Sequence, residues 1–371
     1  MKILVSGAGV AGLSAGIDLA RAGHDVEIVE RAPHLRVNGS PIDVRGAALE
    51  TAARMGILDA VRAQRITLTE ETTFVDRSGA VVASLVTDEI NESPDDIELP
   101  REDLMEILRQ ALPARADLRF EESVAALTDD GDRVAVTFAS GRTGDYDVVV
   151  GADGVHSAVR RLVFGPEERF SEPLGVYVAI GAAPHEAASG TGRVTEILNL
   201  PGRFAGVARY RDTALALFEF RSEPIGDDSR DRAAQKRVLA DAFADVEDWK
   251  VPELLDAAQR DPELYLDAIA LIDMPAWHRG RVVLIGDAAH CATPMAGRGT
   301  SLALLGAWAL AEELARHGDD LGSAFDAYEL RMRPHATAAQ EFAREGADLL
   351  VPPTWEAIEE RNARLRAVQP L

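Results

Sequence analysis

Three separated segments of the chain carry residue types that could bind a nucleotide cofactor. The first is Gly7-Ala8-Gly9-Val10-Ala11-Gly12, which lies between an apolar run and a helical pattern. In that setting the first glycine permits a tight turn, the second lets the backbone approach a pyrophosphate, and the third lets helix and strand pack closely. N–H groups at the start of the helix then point at the phosphate. Glu30, 21 residues after Gly9, is placed to bind a ribose hydroxyl pair.

The other two segments are apolar runs that end in a turn of glycine and aspartate. One run leads to Asp153-Gly154, and the other leads to Gly286-Asp287. The Asp287 carboxylate could accept hydrogen bonds from cofactor hydroxyl groups. The glycines of 297–299 would let N–H groups of the following helix point at an anionic ring edge.

Hydrophobic patterning indicates the elements that position these segments. The first 30 residues predict a strand, a helix and a second strand, which is the βαβ unit of a parallel sheet: Lys2–Ser6, Leu13–Ala22 and Val26–Val29. Ala47–Ala63 is predicted as one helix, and Thr87–Glu98 as an exposed acidic loop.

Beyond about residue 173 the pattern changes to four β-like runs separated by Gly and Pro turns, at 176–183, 193–200, 204–210 and 214–220. These runs predict an antiparallel sheet. Val282–Ile285 then returns to a short apolar strand, followed by long helices. The sequence therefore predicts an α/β fold, with a Rossmann-like cofactor domain, an inserted, mainly antiparallel β-sheet domain and C-terminal helices.

Composition excludes several classes of function. The 371 residues carry a formal net charge of −23, which argues against nucleic-acid phosphates as partners. A single cysteine, Cys291, excludes an intramolecular disulfide and a cysteine-rich zinc site, and the eight histidines show no metal-ligand spacing. The N-terminus has no secretory pattern, and no apolar run reaches the length of a membrane span. We expect a cytoplasmic monomer or homodimer without a metal.

The three segments, in this order and spacing, resemble the single-component (group A) FAD-dependent aromatic hydroxylases of the para-hydroxybenzoate hydroxylase fold. The resemblance runs from Lys2 to about His335, and in length the chain looks closest to actinobacterial polyketide-tailoring and tetracycline-inactivating monooxygenases. The resemblance implies a discontinuous FAD-binding domain of residues 1–71, 100–172 and 276–371. A substrate-binding domain would comprise residues 72–99 and 173–275.

The resemblance also implies a set of FAD contacts. The ADP part would contact Gly7, Gly9, Val10, Ala11, Gly12, Glu30 and Arg31, with the adenine near Val124. The pyrophosphate, the ribityl chain and the flavin ring would contact Arg101, Asp153, Gly154, Gly286, Asp287, Pro294, Gly297, Gly299, Thr300 and Ser301. The family places a loop beside the N5 edge of the flavin ring, and Asp43 and Arg45 lie in the matching segment. They are candidates to contact the flavin there, or they only brace that loop.

The substrate side of the flavin is less well defined by the motifs. Many relatives carry Gln where this chain has Arg298 and Asn where it has Ser301, so Arg298 is either a cation near the ring or a solvent-facing side chain. One face of the antiparallel sheet would cover the substrate from one side, the substrate ceiling, and Met295 would lie on the opposite side. The aromatic residues of that sheet face are Tyr177, Phe204, Phe218 and Phe220. Aromatic spacing of this kind is equally typical of an ordinary core.

The implied activity is NAD(P)H- and O₂-dependent hydroxylation of a phenolic, polycyclic or polyketide small molecule through a flavin C4a-hydroperoxide. The cofactor carries the chemistry, so no protein residue is expected to be catalytic. NAD(P)H would bind transiently, because the chain has no second complete glycine motif. Two alternatives remain: a FAD-dependent halogenase or reductase of the same fold, or a flavin-binding sensor. The halogenase lacks support because the four tryptophans are too scattered for a Trp-x-Trp-x-Ile motif.

Overall fold

The computed structural model of the chain describes residues 1–35, 40–66, 71–86, 93–184, 187, 194–210, 213–225 and 231–368. Its strands are β1 (Lys2–Ser6), β2 (Asp25–Val29), β3 (Ile42–Val44), β4 (Glu71–Val75), β5 (Val81–Val86), β6 (Ile97–Leu99), β7 (Ala116–Arg119), β8 (Val124–Asp129), β9 (Val134–Phe138), β10 (Thr143–Tyr146), β11 (Val148–Gly151), β12 (Ser171–Ala182), β13 (Val194–Leu200), β14 (Arg203–Tyr210), β15 (Thr213–Arg221), β16 (Tyr265–Ile272), β17 (His278–Arg279) and β18 (Val282–Leu284).

The α-helices of the described residues vary from one turn to eight. They are α1 (Val10–Arg21), α2 (Ala47–Arg54), α3 (Leu58–Ala63), α4 (Arg101–Ala111), α5 (Ala158–Val163), α6 (Arg232–Ala242), α7 (Val251–Arg260), α8 (Asp287–His290), α9 (Gly299–His317), α10 (Leu321–Leu350) and α11 (Trp355–Val368). Short 3₁₀ turns in the described part of the chain span Glu167–Arg169 and Pro294–Ala296.

A six-stranded sheet in the order β17-β18-β11-β1-β2-β7 forms the first layer of the fold. All neighbours pair in parallel except β17 with β18. β1 lies in the middle, and its residues Ile3, Leu4 and Val5 are fully buried. Such a continuous apolar run is what a parallel strand covered on both faces requires. The carboxyl ends of β1, β2, β11 and β18 therefore meet at one edge.

A seven-stranded sheet in the order β16-β12-β15-β14-β13-β4-β5 forms the second layer. It is antiparallel except where β13 pairs with β4. One of its sides joins the large apolar core that includes β1 and α9, and the other side packs against α6 and α7. The α/β fold class, with an antiparallel sheet between segments of the Rossmann-like layer and helices at the C-terminus, is confirmed; the domain boundaries stay a prediction.

Local predictions fail at two places. The helix predicted over Ala47–Ala63 is two helices, because Gly56 adopts a φ of +64° and its N–H closes the end of α2 on the Ala53 carbonyl. Of the predicted loop Thr87–Glu98, residues 87–92 lie outside the described residues, and its end forms β6, paired with β3. That pairing joins residues more than 50 positions apart, which a local pattern does not encode.

Neither a membrane-crossing helix nor a metal site is found in the part of the chain that the structure describes. No helix there combines the length and the apolarity that a bilayer requires. No group of three or more His, Cys, Asp or Glu side chains there is arranged to hold a metal ion.

Candidate cofactor-binding site

A cavity of about 440 Å³ opens at the carboxyl edge of the six-stranded sheet. Ligands of open α/β sheets bind at this edge, and the volume suits a small-molecule site. The three motifs meet there although they are far apart in the sequence. Most of the residues predicted to contact a cofactor line it: Gly7, Gly9, Val10, Ala11, Glu30, Arg31, Asp43, Arg101, Val124, Asp153, Gly154, Asp287, Pro294, Gly297, Gly299 and Thr300.

The three glycines of the first motif have different physical reasons to be glycine. Gly7 has a φ of +104°, and a Cβ there would lie 2.4 Å from the Ala152 carbonyl oxygen. A Cβ on Gly12 would lie 1.8 Å from the Gly7 carbonyl oxygen. A Cβ on Gly9 would meet no atom of the described residues within 4 Å, although Gly9 borders the cavity. The protein's own packing therefore requires Gly7 and Gly12, whereas Gly9 leaves space beside the backbone for a ligand.

The Glu30 carboxylate links the end of β2 to this glycine turn. One oxygen accepts a hydrogen bond from the Ala8 N–H, and the other accepts one from the Ala32 N–H, each at 2.9 Å. An ionised carboxylate offers about four lone-pair sites, so two remain for a ligand. Glu30 can thus hold the turn in shape and still accept hydrogen bonds from hydroxyl groups in the cavity.

Asp287 is the first residue of α8 and projects into the cavity. Its side chain is exposed to the cavity space, but it lies deep within the protein. That depth raises the pKa of Asp287, and the positive charge of Arg101 across the cavity acts in the opposite direction. A carboxylate in this position is suited to accept hydrogen bonds from the hydroxyl groups of a bound molecule.

Four predicted contact residues lie behind the cavity wall. Gly12 packs on Gly7, and Gly286 brings β18 against α1, since a Cβ there would lie 2.8 Å from the Ala11 Cβ. The Ser301 hydroxyl accepts a hydrogen bond from the Arg45 N–H at 2.9 Å. Gly12, Gly286, Ser301 and Arg45 therefore support the cavity wall, and their direct contact with a cofactor stays a prediction.

The two-stranded ladder of β3 and β6 places the Asp43 carboxylate beside Gly297, where an added Cβ would lie 3.7 Å from Asp43 Oδ2. Asp43 and Glu98 are directly opposite in the ladder, and Asp43 forms an ion pair with Arg45 at 3.0 Å. Burial raises the pKa of Glu98 to about 8, and the neighbouring Asp43 charge acts in the same direction. Sequence reasoning singled out Asp43 and Arg45 but not their neighbour Glu98, which pairs with Asp43 behind the cavity lining and lies in the segment interpreted as a loop.

The Asp153-Gly154 segment is built into the start of α5. The Asp153 carboxylate accepts hydrogen bonds from the Ser157 hydroxyl and from the N–H groups of Ala158 and Val159, the last two at 2.8 and 3.1 Å. Arg160 is fully buried and donates to the Ala288 carbonyl at 3.0 Å. This arginine fastens the second motif to the third.

His156 contacts both layers of the fold and was missed as a site residue. It lines the cavity, and its ring nitrogens lie 2.9 Å from Glu167 and 3.1 Å from Asp267 on β16. The two carboxylates raise its pKa to about 9. His156 follows Gly154 by two residues, but its partner Asp267 is 111 residues away, so only its position beside the second motif could have been noticed.

The segment after α8 contains strained backbone and an unreactive thiol. Thr293 has a φ of +63°, which is unfavourable for a β-branched residue, and its hydroxyl accepts a hydrogen bond from the Met295 N–H at 3.2 Å. Burial raises the pKa of the Cys291 thiol. His290 is buried against Trp277, with ring centres 4.5 Å apart, and burial lowers its pKa to about 4. His290 and Cys291 therefore fit a packing role.

Arg298 borders the cavity at the start of α9. Its guanidinium lies 5.7 Å from the centre of the Phe342 ring. The side chain therefore lies beside the cavity and against α10, which favours the interpretation as a cation near the site over a purely solvent-facing one.

The structure separates the aromatic residues that were predicted to face a substrate. Tyr177, Phe218 and Phe220 lie on the side of the seven-stranded sheet that α6 and α7 cover, and both phenylalanines contact Phe243 of that core. The prediction of a substrate ceiling is corrected for these three, because they pack an ordinary core. Phe204 faces the other side, with the large core that also contains Met295.

Comparisons with known proteins give one consistent result. The family model described as "FAD binding domain" matches residues 1–343. The uncharacterized protein Rv1260 of Mycobacterium tuberculosis is 42% identical over 332 residues, covering 88% of each chain. A flavin-dependent monooxygenase of Legionella longbeachae is 34% identical over 345 residues, covering 92% of this chain and 87% of its own. The crystal structure of tetracycline destructase Tet(51) superposes with a TM-score of 0.86 at 31% identity, covering 99% of this chain and 96% of that one.

Proposed function

Since the chain belongs to the FAD binding domain family and is a FAD-dependent monooxygenase, we propose that it uses NAD(P)H and O₂ to hydroxylate a phenolic or polycyclic aromatic small molecule. One observation carries the proposal. Three motifs from residues 7–30, 153–154 and 286–301 converge on one cavity at the carboxyl edge of the parallel sheet.

The residues around the cavity fit FAD. The bare backbone at Gly9 leaves space for a pyrophosphate, and the free lone pairs of Glu30 suit the adenosine ribose. Asp287 would accept hydrogen bonds from the ribityl chain, with Arg101 nearby. The first turn of α9, beginning at Gly299, would direct its N–H groups at the flavin ring.

When bound, FAD supplies the redox chemistry, namely acceptance of electrons from NAD(P)H and activation of O₂. The chain's own side chains position the reactants and exclude water. Cys291, the one cysteine, borders the cavity, and burial raises the pKa of its thiol, which favours the protonated form at neutral pH. Within the described residues, His290 is likewise enclosed in the core.

The side of the seven-stranded sheet that faces the cofactor domain supports an aromatic substrate. Its central residues Ile180 and Leu217 are apolar and only half buried, beside the buried Phe204. Tet(51), with a similar fold, is named for action on tetracycline, a four-ring compound. A flat, apolar ring system would suit such a surface.

The test is oxygen-transfer chemistry by the purified flavoprotein. We expect slow oxidation of NADH or NADPH by the protein alone and a rise of at least about 10-fold with a suitable phenol, since ~1.4 kcal/mol off the reduction barrier suffices. With ¹⁸O₂, the hydroxylated product should carry the label. A product whose new oxygen atom comes from water would rule out the monooxygenase reaction. A requirement for halide, or reduction without oxygen insertion, would indicate the halogenase or reductase alternative, and flavin binding without turnover would indicate a sensor.

A further inference from the structure

The side of the seven-stranded sheet toward the cofactor domain carries one cross-strand row of interest. Val178 of β12 pairs with Asp267 of β16 and with Glu219 of β15, and Glu219 pairs with Phe204 of β14. Directly paired residues point to the same side of a sheet. Asp267 contacts His156, which lines the cofactor cavity, so the whole row faces that domain. Glu219 lies two strand spacings, about 10 Å, from Asp267.

Glu219 is a buried carboxyl group without a described partner. The residue is 8% exposed, and its Oε2 atom has no hydrogen bond to any described residue. Asp267, in the same row, has His156 and Tyr265 as partners. Burial raises the pKa of Glu219 to about 8, so the group is mostly neutral at pH 7. Buried polar groups normally have hydrogen-bond partners, so an unpartnered one needs a reason.

The C-terminal end of α10 connects the strand that carries Glu219 to the part of the cavity wall at Pro294. Arg221, two residues along the same side of β15, donates hydrogen bonds to two carbonyl groups at the end of α10. In the adjacent turn of α10, Gly346 lies against Met295, whose neighbour Pro294 lines the cavity. One helix end thus contacts both the neighbourhood of Glu219 and the cavity wall.

The surface beside Glu219 is largely apolar. The middle of the next cross-strand row consists of Ile180, Leu217 and Gly206, and its two side chains are only half buried. Gly206 has no side chain to cover Leu217. Tyr265 continues the row on β16, but its hydroxyl group is already hydrogen-bonded within that strand. A flat ring lying on Leu217 would therefore have the carboxyl group of Glu219 as its adjacent polar group.

We propose that Glu219 is a specificity-determining residue that hydrogen-bonds a hydroxyl or amine group on the ring of the substrate. This inference rests on the proposed function, since it assumes an aromatic substrate on this side of the sheet. A neutral carboxyl group can donate one hydrogen bond and accept another, which matches a hydroxyl or amine group. An aromatic ring without such a group would leave the carboxyl group unpaired in the complex, and it would bind more weakly.

The first test measures binding to the FAD-loaded protein. The probes are 1-naphthol, 1-naphthylamine and 1-methylnaphthalene, which have similar shapes and differ in the polar group, and binding is followed by the change in flavin absorbance. Wild type should prefer the hydroxyl or the amine over the methyl compound by about 10-fold. Glu219→Leu should lose this preference, and Glu219→Gln, whose amide both donates and accepts, should retain it to within about 3-fold.

Glu196→Gln is the matched control. Glu196 lies on the helix-covered side of the same sheet and pairs with Lys250 and Arg209. Its variant should keep the wild-type preference. Equal preference in wild type and Glu219→Leu would overturn the proposal, as would a wild type that binds none of the three probes. If wild type inserts oxygen from O₂ but Glu219→Leu keeps the wild-type preference among the three probes, the proposed function stands and only the assignment of Glu219 fails.

The second test needs no substrate or substrate analogue. Removing an unpartnered buried polar group in favour of an apolar one should leave stability equal or higher. Denaturant unfolding of the FAD-loaded Glu219→Leu protein should therefore give a midpoint at or above that of wild type. A clearly lower midpoint would mean that Glu219 has a structural partner, and it would overturn the proposal.

Discussion

Replacement of Gly9 by alanine should separate folding from cofactor binding. Gly9 has a φ of −72° and a ψ of −173°, which any residue adopts, and an added Cβ has no neighbour within 4 Å in the part of the chain that the structure describes. The substitution removes freedom from the unfolded chain, so the free energy of unfolding of the cofactor-free protein should stay equal or rise by ~0.4–1 kcal/mol. The new methyl group, however, occupies the space through which a pyrophosphate would approach the backbone.

The expected loss of FAD affinity follows from the size of that methyl group. Overpacking by a methyl group typically costs about 1–3 kcal/mol. FAD affinity of Gly9→Ala should therefore fall by roughly 5- to 150-fold. The assay is titration of the deflavinated protein into FAD, followed by quenching of flavin fluorescence, with urea unfolding of the same sample.

Two other glycines supply the controls. Gly322, in the first turn of α10, is not among the cavity-lining residues described above, and an added Cβ there would lie at an ordinary contact distance of 3.7 Å from a carboxylate oxygen of Asp320. Gly322→Ala should therefore bind FAD like wild type. Gly12→Ala is the opposite control, because its Cβ would lie 1.8 Å from a carbonyl oxygen and should lower the stability of the fold itself. The reasoning is refuted if Gly9→Ala binds FAD as tightly as Gly322→Ala, or if it unfolds at a clearly lower urea concentration than wild type.

Three further predictions concern the site. Glu30→Ala removes the acceptor for two backbone N–H groups and for the ribose, so FAD affinity should fall ~10–100-fold with the far-UV circular dichroism retained; unchanged affinity would contradict the ADP assignment. Asp287→Ala should yield folded protein that loses FAD on dilution, and a fully flavinated, active variant would show that the third motif is misinterpreted. The pKa of His156 is raised from 6.5 to about 9 in the folded protein, so its contribution to stability is complete below pH 6.5 and is lost as the pH rises through about 9. Urea unfolding of wild type and His156→Gln between pH 6 and 9.5 should therefore converge at high pH, and parallel curves would exclude this ion pair as a contributor.

Motifs whose structure is determined by neighbouring residues could be predicted from the sequence. The glycine turn at Gly7 is required by a positive φ and by close contacts, and both follow from a strand–turn–helix pattern within 30 residues. The position of Asp287 follows in the same way from a buried strand that ends in Gly286. The parallel sheet then brings such turns to one edge of the cavity. Other cavity residues, such as Arg101 and Val124, are predicted only through the family resemblance.

Features that depend on distant contacts could not be predicted. Alternation along β12 and β15 indicates that Tyr177 and Phe218 share a side of the sheet, but it does not tell which side α6 and α7 will cover. The partner of His156 lies on β16, and the partner of Asp43 across the ladder is Glu98, in a segment whose acidic composition is typical of a loop. In each case the deciding contact joins elements that the local sequence does not relate.

The order of strands in the parallel sheet has a consequence for biosynthesis. The central strand β1 is made first, but its neighbour β11 ends at residue 151 and the next strand, β18, begins at residue 282. The cavity is lined by residues from Ser6 to Ala303. A nascent chain on the ribosome therefore cannot complete the cavity until residue 303 has been made, and the edge of β11 that pairs with β18 stays uncovered meanwhile. Cofactor supply should thus affect the yield of folded enzyme only after synthesis is nearly complete, whereas chaperone capacity should affect it throughout.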